Sequence, residues 1–98
     1  MNRGSFPIDF FSHIIICNST RKNSIFVDIK VKLGKRLKEL RIKNGFSQEK
    51  FSGICELDRT YIAGIEQGKR NVSLVNIEKI ANAFNMSVYD FFKSEIFN

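Results

Sequence analysis

From residue 30 onward, apolar positions recur every three or four residues and are interrupted at regular intervals by capping and breaking residues. Leu33, Leu37, Leu40 and Asn44 fall on one face of an amphipathic first helix, which Gly45 closes in a left-handed cap. Ser47 is placed to N-cap a second helix from Gln48 to about Cys55 that buries Phe51, Ile54 and Cys55. Asp58 caps a third, Arg59 to Gln67, with Ile62 and Ile65 inward and Gly68 as terminator. Ser73 caps a fourth, Leu74 to Phe84, with Leu74, Ile77, Ala81 and Phe84 inward. Ser87, with Asp90 three residues later, has the form of a capping box and opens a fifth helix carrying Val88, Phe91 and Phe92. Five short helices with connections of about two to five residues predict a compact all-α domain.

Residues 1–28 have a different texture. Ile14-Ile15-Ile16 and Ile25-Phe26-Val27 are β-rich, and the polar run from Asn18 to Ser24 separates them. They read as a hairpin-like pair or as a short helix followed by a strand. We therefore divide the chain into an N-terminal accessory arm, 1–29, packing on the domain or on a dimer mate, and the helical domain, 30–98. A partly disordered leader is the alternative for the arm.

Charge sharpens the picture. Sixteen Lys and Arg against ten Asp and Glu give a formal charge of +6 on 98 residues, which favours polyanionic partners. Lys30, Lys32, Lys35, Arg36, Lys38, Arg41 and Lys43 crowd the first helix with Glu39 as the sole acid among them, whereas 86–98 is nearly neutral and aromatic. A nucleic-acid face and a separate association face follow from that asymmetry. Cys17 and Cys55 lie far apart with no CxxC partner, and His13 is the only histidine, so neither a zinc site nor a disulfide is expected; free thiols suit a reducing cytoplasm. No apolar run reaches the length of about 18 residues that a membrane helix needs, and Phe10–Cys17 lacks the features of a signal peptide.

The segment 48–67 carries the chemistry. Its two helices are joined by about three residues, so they must cross steeply, with Ser52 and Gly53 small where they approach. Leu57, Ile62 and Ile65 lock the second helix inward, leaving Arg59, Thr60, Ala63 and Gly64 outward. That face has no acid and no large apolar group and fits a major groove, presenting an arginine able to bind guanine O6 and N7 bidentately.

These residues resemble the Cro/repressor-type (Xre-like) helix-turn-helix family over 33 to about 92. The resemblance runs Leu37, Arg41, Gly45-Phe46-Ser47-Gln48-Glu49, Ile62, Ile65-Glu66-Gln67-Gly68-Lys69-Arg70, Ser73-Leu74 and Ile80-Ala81. Within the family, Leu57-Asp58-Arg59-Thr60-Tyr61-Ile62-Ala63-Gly64-Ile65-Glu66 and Arg70-Asn71 are most similar to controller proteins of restriction–modification systems. The resemblance implies a lambda-repressor-like DNA-binding domain whose C-terminal helix dimerises. It implies a cytoplasmic homodimer on inverted-repeat operators, regulating its own gene and the endonuclease gene, with RNA polymerase as an open further partner.

Carried over residue by residue, Gln48 opens the motif at a phosphate, and Arg59 and Thr60 read bases. Tyr61 and Gly64 line the groove wall, Tyr61 offering its hydroxyl to phosphate or base, and Lys69, Arg70 and Asn71 hold the backbone beyond. Arg41 and Glu66 match the family's salt bridge between first helix and recognition helix. Two departures stand out: Ser52 replaces the usual alanine, and Glu56 replaces the turn glycine, so the turn lacks the residue that most easily takes positive φ.

Lys35, Arg36 and Lys38 are read as a solvated face, with phosphate contact the alternative. Phe84, Phe91 and Phe92 read as core residues, but with Ile96 and Phe97 the aromatics exceed what one small domain hides, and Phe91, Phe92, Ile96 and Phe97 are assigned to a dimer interface. Rival readings are an antitoxin or phage-type repressor of the same fold, and a protein-interaction module that does not bind DNA. One histidine, no paired catalytic carboxylates and no glycine-rich phosphate loop argue against an enzyme, and no cofactor or metal is expected.

Overall fold

The structure, a computed structural model, describes residues 27–98. The accessory arm predicted for 1–29 lies almost wholly outside the described residues. Five helices follow in order: α1 (Ile29–Lys43), α2 (Gln48–Cys55), α3 (Arg59–Glu66), α4 (Leu74–Ala83) and α5 (Val88–Phe92), then a 3₁₀ turn at Glu95–Phe97 that the pattern did not predict. The first helix starts one residue earlier than the division at 30, because the Asp28 carboxylate accepts the Lys30 N–H and caps it there. The same hydrogen bond holds the Asp28 carboxyl below its usual range.

The caps explain why the helices are short. Ser47, Asp58, Ser73 and Ser87 each accept a backbone N–H from the first turn of their own helix, at 3.0 to 3.1 Å. Four helices end on a left-handed residue: Gly45 (φ 74), Glu56 (φ 60), Gly68 (φ 76) and Asn85 (φ 60). After α1, Gly45 N donates to Ile42 O and Phe46 N to Arg41 O; after α3, Gly68 N donates to Ile65 O and Lys69 N to Gly64 O. These paired bonds reverse the chain within two or three residues and satisfy the last carbonyls of each helix. Glu56 makes the same reversal without a glycine, with Leu57 N donating to Ser52 O, so the missing turn glycine does not alter the path.

The core gathers Leu33, Leu37, Leu40, Phe51, Cys55, Ile62, Ile65, Ile80, Ala81 and Phe91. The Phe51 and Phe84 rings stack at 4.5 Å between centroids and Phe46 joins them, tying the α1 exit to α2 and α4. Burial pushes the Cys55 thiol up from its ordinary range, so it packs as a small hydrophobe.

Several expectations need correction. Ile54 is 41% exposed, because Phe51 and Cys55 set the inward face of α2, and Leu74 is 73% exposed at the very start of α4, while Ile80 is buried instead. Gly53 is exposed with nothing near where a Cβ would stand, so it is not a close-approach residue. Phe91 is fully buried, its ring enclosed by its own domain, and cannot be part of a dimer surface. Arg36 is neither a solvated cation nor a phosphate ligand: its Nε donates to Phe91 O at 2.7 Å and its Nη2 to Asp90 O at 3.0 Å, fastening the end of α5 to α1.

The close approach falls at Gly34. A Cβ there would overlap the Ile65 carbonyl oxygen and stand 2.9 Å from that of Glu66, so the backbone of α1 rests directly on the end of α3. Two turns further along α1, Arg41 Nε donates to Glu66 Oε2 at 2.7 Å and Nη2 to Oε1 at 3.0 Å, while Nη1 donates to Phe46 O at 2.8 Å. Side-chain exposures of 11% and 5% make this a largely buried bidentate pair, and the Glu66 hydrogen bond raises the Arg41 pKa.

Two variants test this seating. Helix propensity alone would make Gly34→Ala stabilising by about 1 kcal/mol. The carbonyl overlap reverses the sign, and we expect a loss of about 1–3 kcal/mol in denaturant unfolding. Glu66→Ala leaves a largely buried guanidinium without its carboxylate and should cost about 3 kcal/mol, the lower end of the range for breaking a buried pair, a fall in Tm of more than about 10 °C.

Candidate nucleic-acid interface

Helix α3 is the exposed element seated by those contacts. Leu57 packs against the core from the turn, and Ile62 and Ile65, at 0% and 1% exposure, fix which face looks inward. Arg59 and Thr60 lie on the opposite side of the helix's first turn and are both exposed. Asp58 reinforces that turn from below, its carboxylate accepting Thr60 N–H at 3.0 Å. Ala63 and Gly64 continue the same strip one turn on, half-buried and small. The strip carries no acid and no large apolar side chain.

The cations after α3 return toward it. Gly68 turns the chain so that Lys69, Arg70 and Asn71 emerge exposed beside the helix they follow. The Arg70 guanidinium lies over the Tyr61 ring, 5.4 Å from its centroid. Its stem crosses Gly64 so closely that a Cβ there would stand 2.9 Å from Arg70 Cγ and 3.0 Å from Nε. Gly64 is therefore the residue that lets Arg70 fold onto the recognition helix, and the ring–cation contact keeps it there. Tyr61 in turn is held by α4, where Asn76 Nδ2 donates to its hydroxyl at 3.1 Å. Asn76 was not singled out from the sequence, since nothing in a lone asparagine on an amphipathic helix marks its partner.

Gln48 lies at the N-terminus of α2, as the motif requires, but its amide is engaged inward. Nε2 donates to Glu66 Oε1 at 3.1 Å, joining the network that holds α3 to α1. The structure thus brings Arg59, Thr60, Tyr61, Gly64 and Arg70 to one helix and its margin, with Lys69 and Asn71 alongside. Gln48, Arg41 and Glu66 form the support behind it. Phe92, Ile96 and Phe97 are partly exposed at the far C-terminal end, where the Phe92 and Phe97 rings meet edge-on at 4.8 Å. Among the described residues no cluster of three or more His, Cys, Asp or Glu side chains is placed to hold a metal ion, and no helix is long and apolar enough to cross a membrane.

Comparison with known proteins agrees with this geometry. The helix-turn-helix domain family matches residues 34–95. Control protein C.MunI of Mycoplasma sp is 50% identical over 66 residues, which is 66% of this chain and 89% of that protein. The crystal structure of the restriction–modification controller protein C.AhdI from Aeromonas hydrophila superposes with a TM-score of 0.62 at 49% identity, covering 64% of this chain and 96% of that one. The controller protein C.Esp1396I, solved as a tetramer in complex with its natural 35 base-pair operator, superposes with a TM-score of 0.64 at 32% identity, covering 69% of this chain and 90% of that one. The chain belongs to the helix-turn-helix domain family, and within it is similar to the control proteins of restriction–modification systems.

Proposed function

We propose that this protein is a sequence-specific DNA-binding regulator of transcription, and that it controls a restriction–modification system by binding inverted-repeat operators as a dimer upstream of its own gene and the endonuclease gene. One observation carries the reading: Arg59 and Thr60 are exposed on the first turn of a helix whose inward face is locked, with Arg70 laid along the same helix. The complex of C.Esp1396I with its operator supports it, because that controller shares the fold and a third of the aligned residues.

The mechanism is electrostatic docking followed by direct readout. The net charge of +6 draws the protein to the duplex. Lys69, Arg70 and Asn71 then hold the phosphate backbone at the far margin of α3, while Gln48, its amide turned inward on Glu66, braces the helix from behind. Arg59 reads guanine O6 and N7 in the major groove, and the Thr60 hydroxyl and methyl contact the neighbouring base or phosphate. In a dimer the two α3 helices enter successive major grooves about 34 Å apart.

A second copy is the proposed occupant of the apolar surface left on α4, α5 and the C-terminal turn. Leu74, Val75 and Tyr89 are 64% to 73% exposed and join Phe92, Ile96 and Phe97 as candidates, while Phe91 drops out. RNA polymerase is the further partner expected of a controller that activates, and the cytoplasm is where such a regulator meets DNA.

Footprinting on the DNA upstream of the protein's own gene tests the reading directly, and an unprotected region would overturn it. Arg59→Ala should lose about 1–3 kcal/mol of discrimination at one base pair per half-site, with the fold intact by circular dichroism. An unchanged ratio of operator to scrambled-duplex affinity would remove Arg59 from the readout. Arg70→Ala should weaken both duplexes alike and reduce the slope of log affinity against log salt by about 1.

A further inference from the structure

The Asn76–Tyr61 hydrogen bond joins two elements that the reading above treats separately. Asn76 is on α4, a helix that presents none of the proposed DNA contacts, and it reaches across to α3. Its own position is fixed, because its backbone N–H caps onto the Ser73 hydroxyl at 3.1 Å. The hydrogen bond runs from amide to phenol: Nδ2 donates and the Tyr61 oxygen accepts. A phenol oxygen that accepts in this way keeps its own proton free to donate elsewhere. The ring it restrains is also the platform beneath the Arg70 guanidinium.

We propose that Asn76 is a positioning residue for DNA recognition, which fixes the Tyr61 ring under Arg70 and sets the Tyr61 hydroxyl as a hydrogen-bond donor. This rests on the DNA-binding reading and adds a specificity element to it. Phosphate oxygens, guanine N7 and O6, and thymine O4 are all acceptors, and a donor hydroxyl matches them. The cytosine and adenine amino groups are donors and compete with Asn76 for the same oxygen, so they match it less well. Asn76 touches no nucleic acid; it acts through Tyr61, and through Tyr61 on Arg70. Gly64 completes the device by leaving the space that Arg70 crosses.

The probe is the duplex that the unmodified protein selects from a random-sequence library, with a scrambled duplex of the same composition beside it. Asn76→Ala and Tyr61→Phe should each weaken binding of the selected duplex about 3- to 10-fold, the range of one hydrogen bond. The double variant should be no weaker than the worse single one, since both remove the same link. Asn76→Asp, which offers an acceptor and turns the phenol proton inward, should weaken binding more than Asn76→Ala. A readout independent of DNA is the tyrosine Raman doublet that reports phenol hydrogen bonding, recorded in a Tyr89→Phe background so that Tyr61 is the only tyrosine. It should shift on Asn76→Ala while Tm stays within a few degrees.

Additive losses in the double variant, an unmoved doublet, or full-strength binding by Asn76→Ala would each overturn the proposal while leaving the DNA-binding reading intact. Failure of the unmodified protein to select any duplex would overturn both. Should Asn76→Ala fold poorly, Asn76→Asp keeps the side-chain size and decides the matter: full-strength binding by that variant would overturn the proposal.

Discussion

The Arg41–Glu66 pair is the interaction on which the recognition helix depends. Helix α3 has eight residues and is entered through a three-residue turn, too little chain to hold its own orientation. Helix α1, nearly twice as long, is the platform. Gly34 lets the two backbones touch, and the bidentate pair fixes α3 against rolling about that contact. Burying two charges is costly, and a pair alone barely offsets it. Here each partner also makes a further hydrogen bond, Arg41 to Phe46 O and Glu66 from Gln48 Nε2. The bonds draw the α1 exit, the start of α2 and the end of α3 into one polar node behind the exposed strip.

That node explains a division of labour among the polar residues of the motif. Those facing inward are hydrogen-bonded to one another, and their geometry is set before any partner arrives. Those on the strip, Arg59 and Thr60, have no side-chain partner among the hydrogen bonds formed by the described residues, so they are available to one. Arg70 is intermediate, since its guanidinium rests on an aromatic ring and still faces outward. A cation held this way loses less freedom on contact than one on a bare loop, which is how a fold converts packing into affinity.

The chain reversals follow one economy. Each of the first four helices ends on a residue in the left-handed region, and the next begins within a few residues on a Ser or Asp cap. Glycine takes that conformation freely at two of the four sites; Asn85 takes it at small cost, and Glu56 at a cost of about 1–2 kcal/mol. Glu56 tolerates it because the turn is fixed from both sides, by Leu57 packing on the core and by Asp58 capping α3. Local preference yields to tertiary packing at that residue.

The same contrast separates what could be read from the chain and what could not. Capping residues, breakers and the period of Leu33-Leu37-Leu40 or Ile62-Ile65 are local signals, and they determined the five helices, their order and the outward placement of Arg59 and Thr60. The Arg41–Glu66 pair was legible only through family resemblance, because two charges 25 positions apart carry no local mark. Periodicity also misjudged Ile54 and Leu74, since it says which residues share a face and not how far a neighbouring helix extends to cover it, and the count of C-terminal aromatics misjudged Phe91. Gly34 against Ile65, Arg36 on the end of α5, and the chain of contacts from Asn76 through Tyr61 to Arg70 were decided by tertiary structure alone. Each depends on the distance between elements that sequence order leaves unspecified, and hydrogen bonds and carbonyl contacts are sensitive to that distance on the scale of tenths of an ångström.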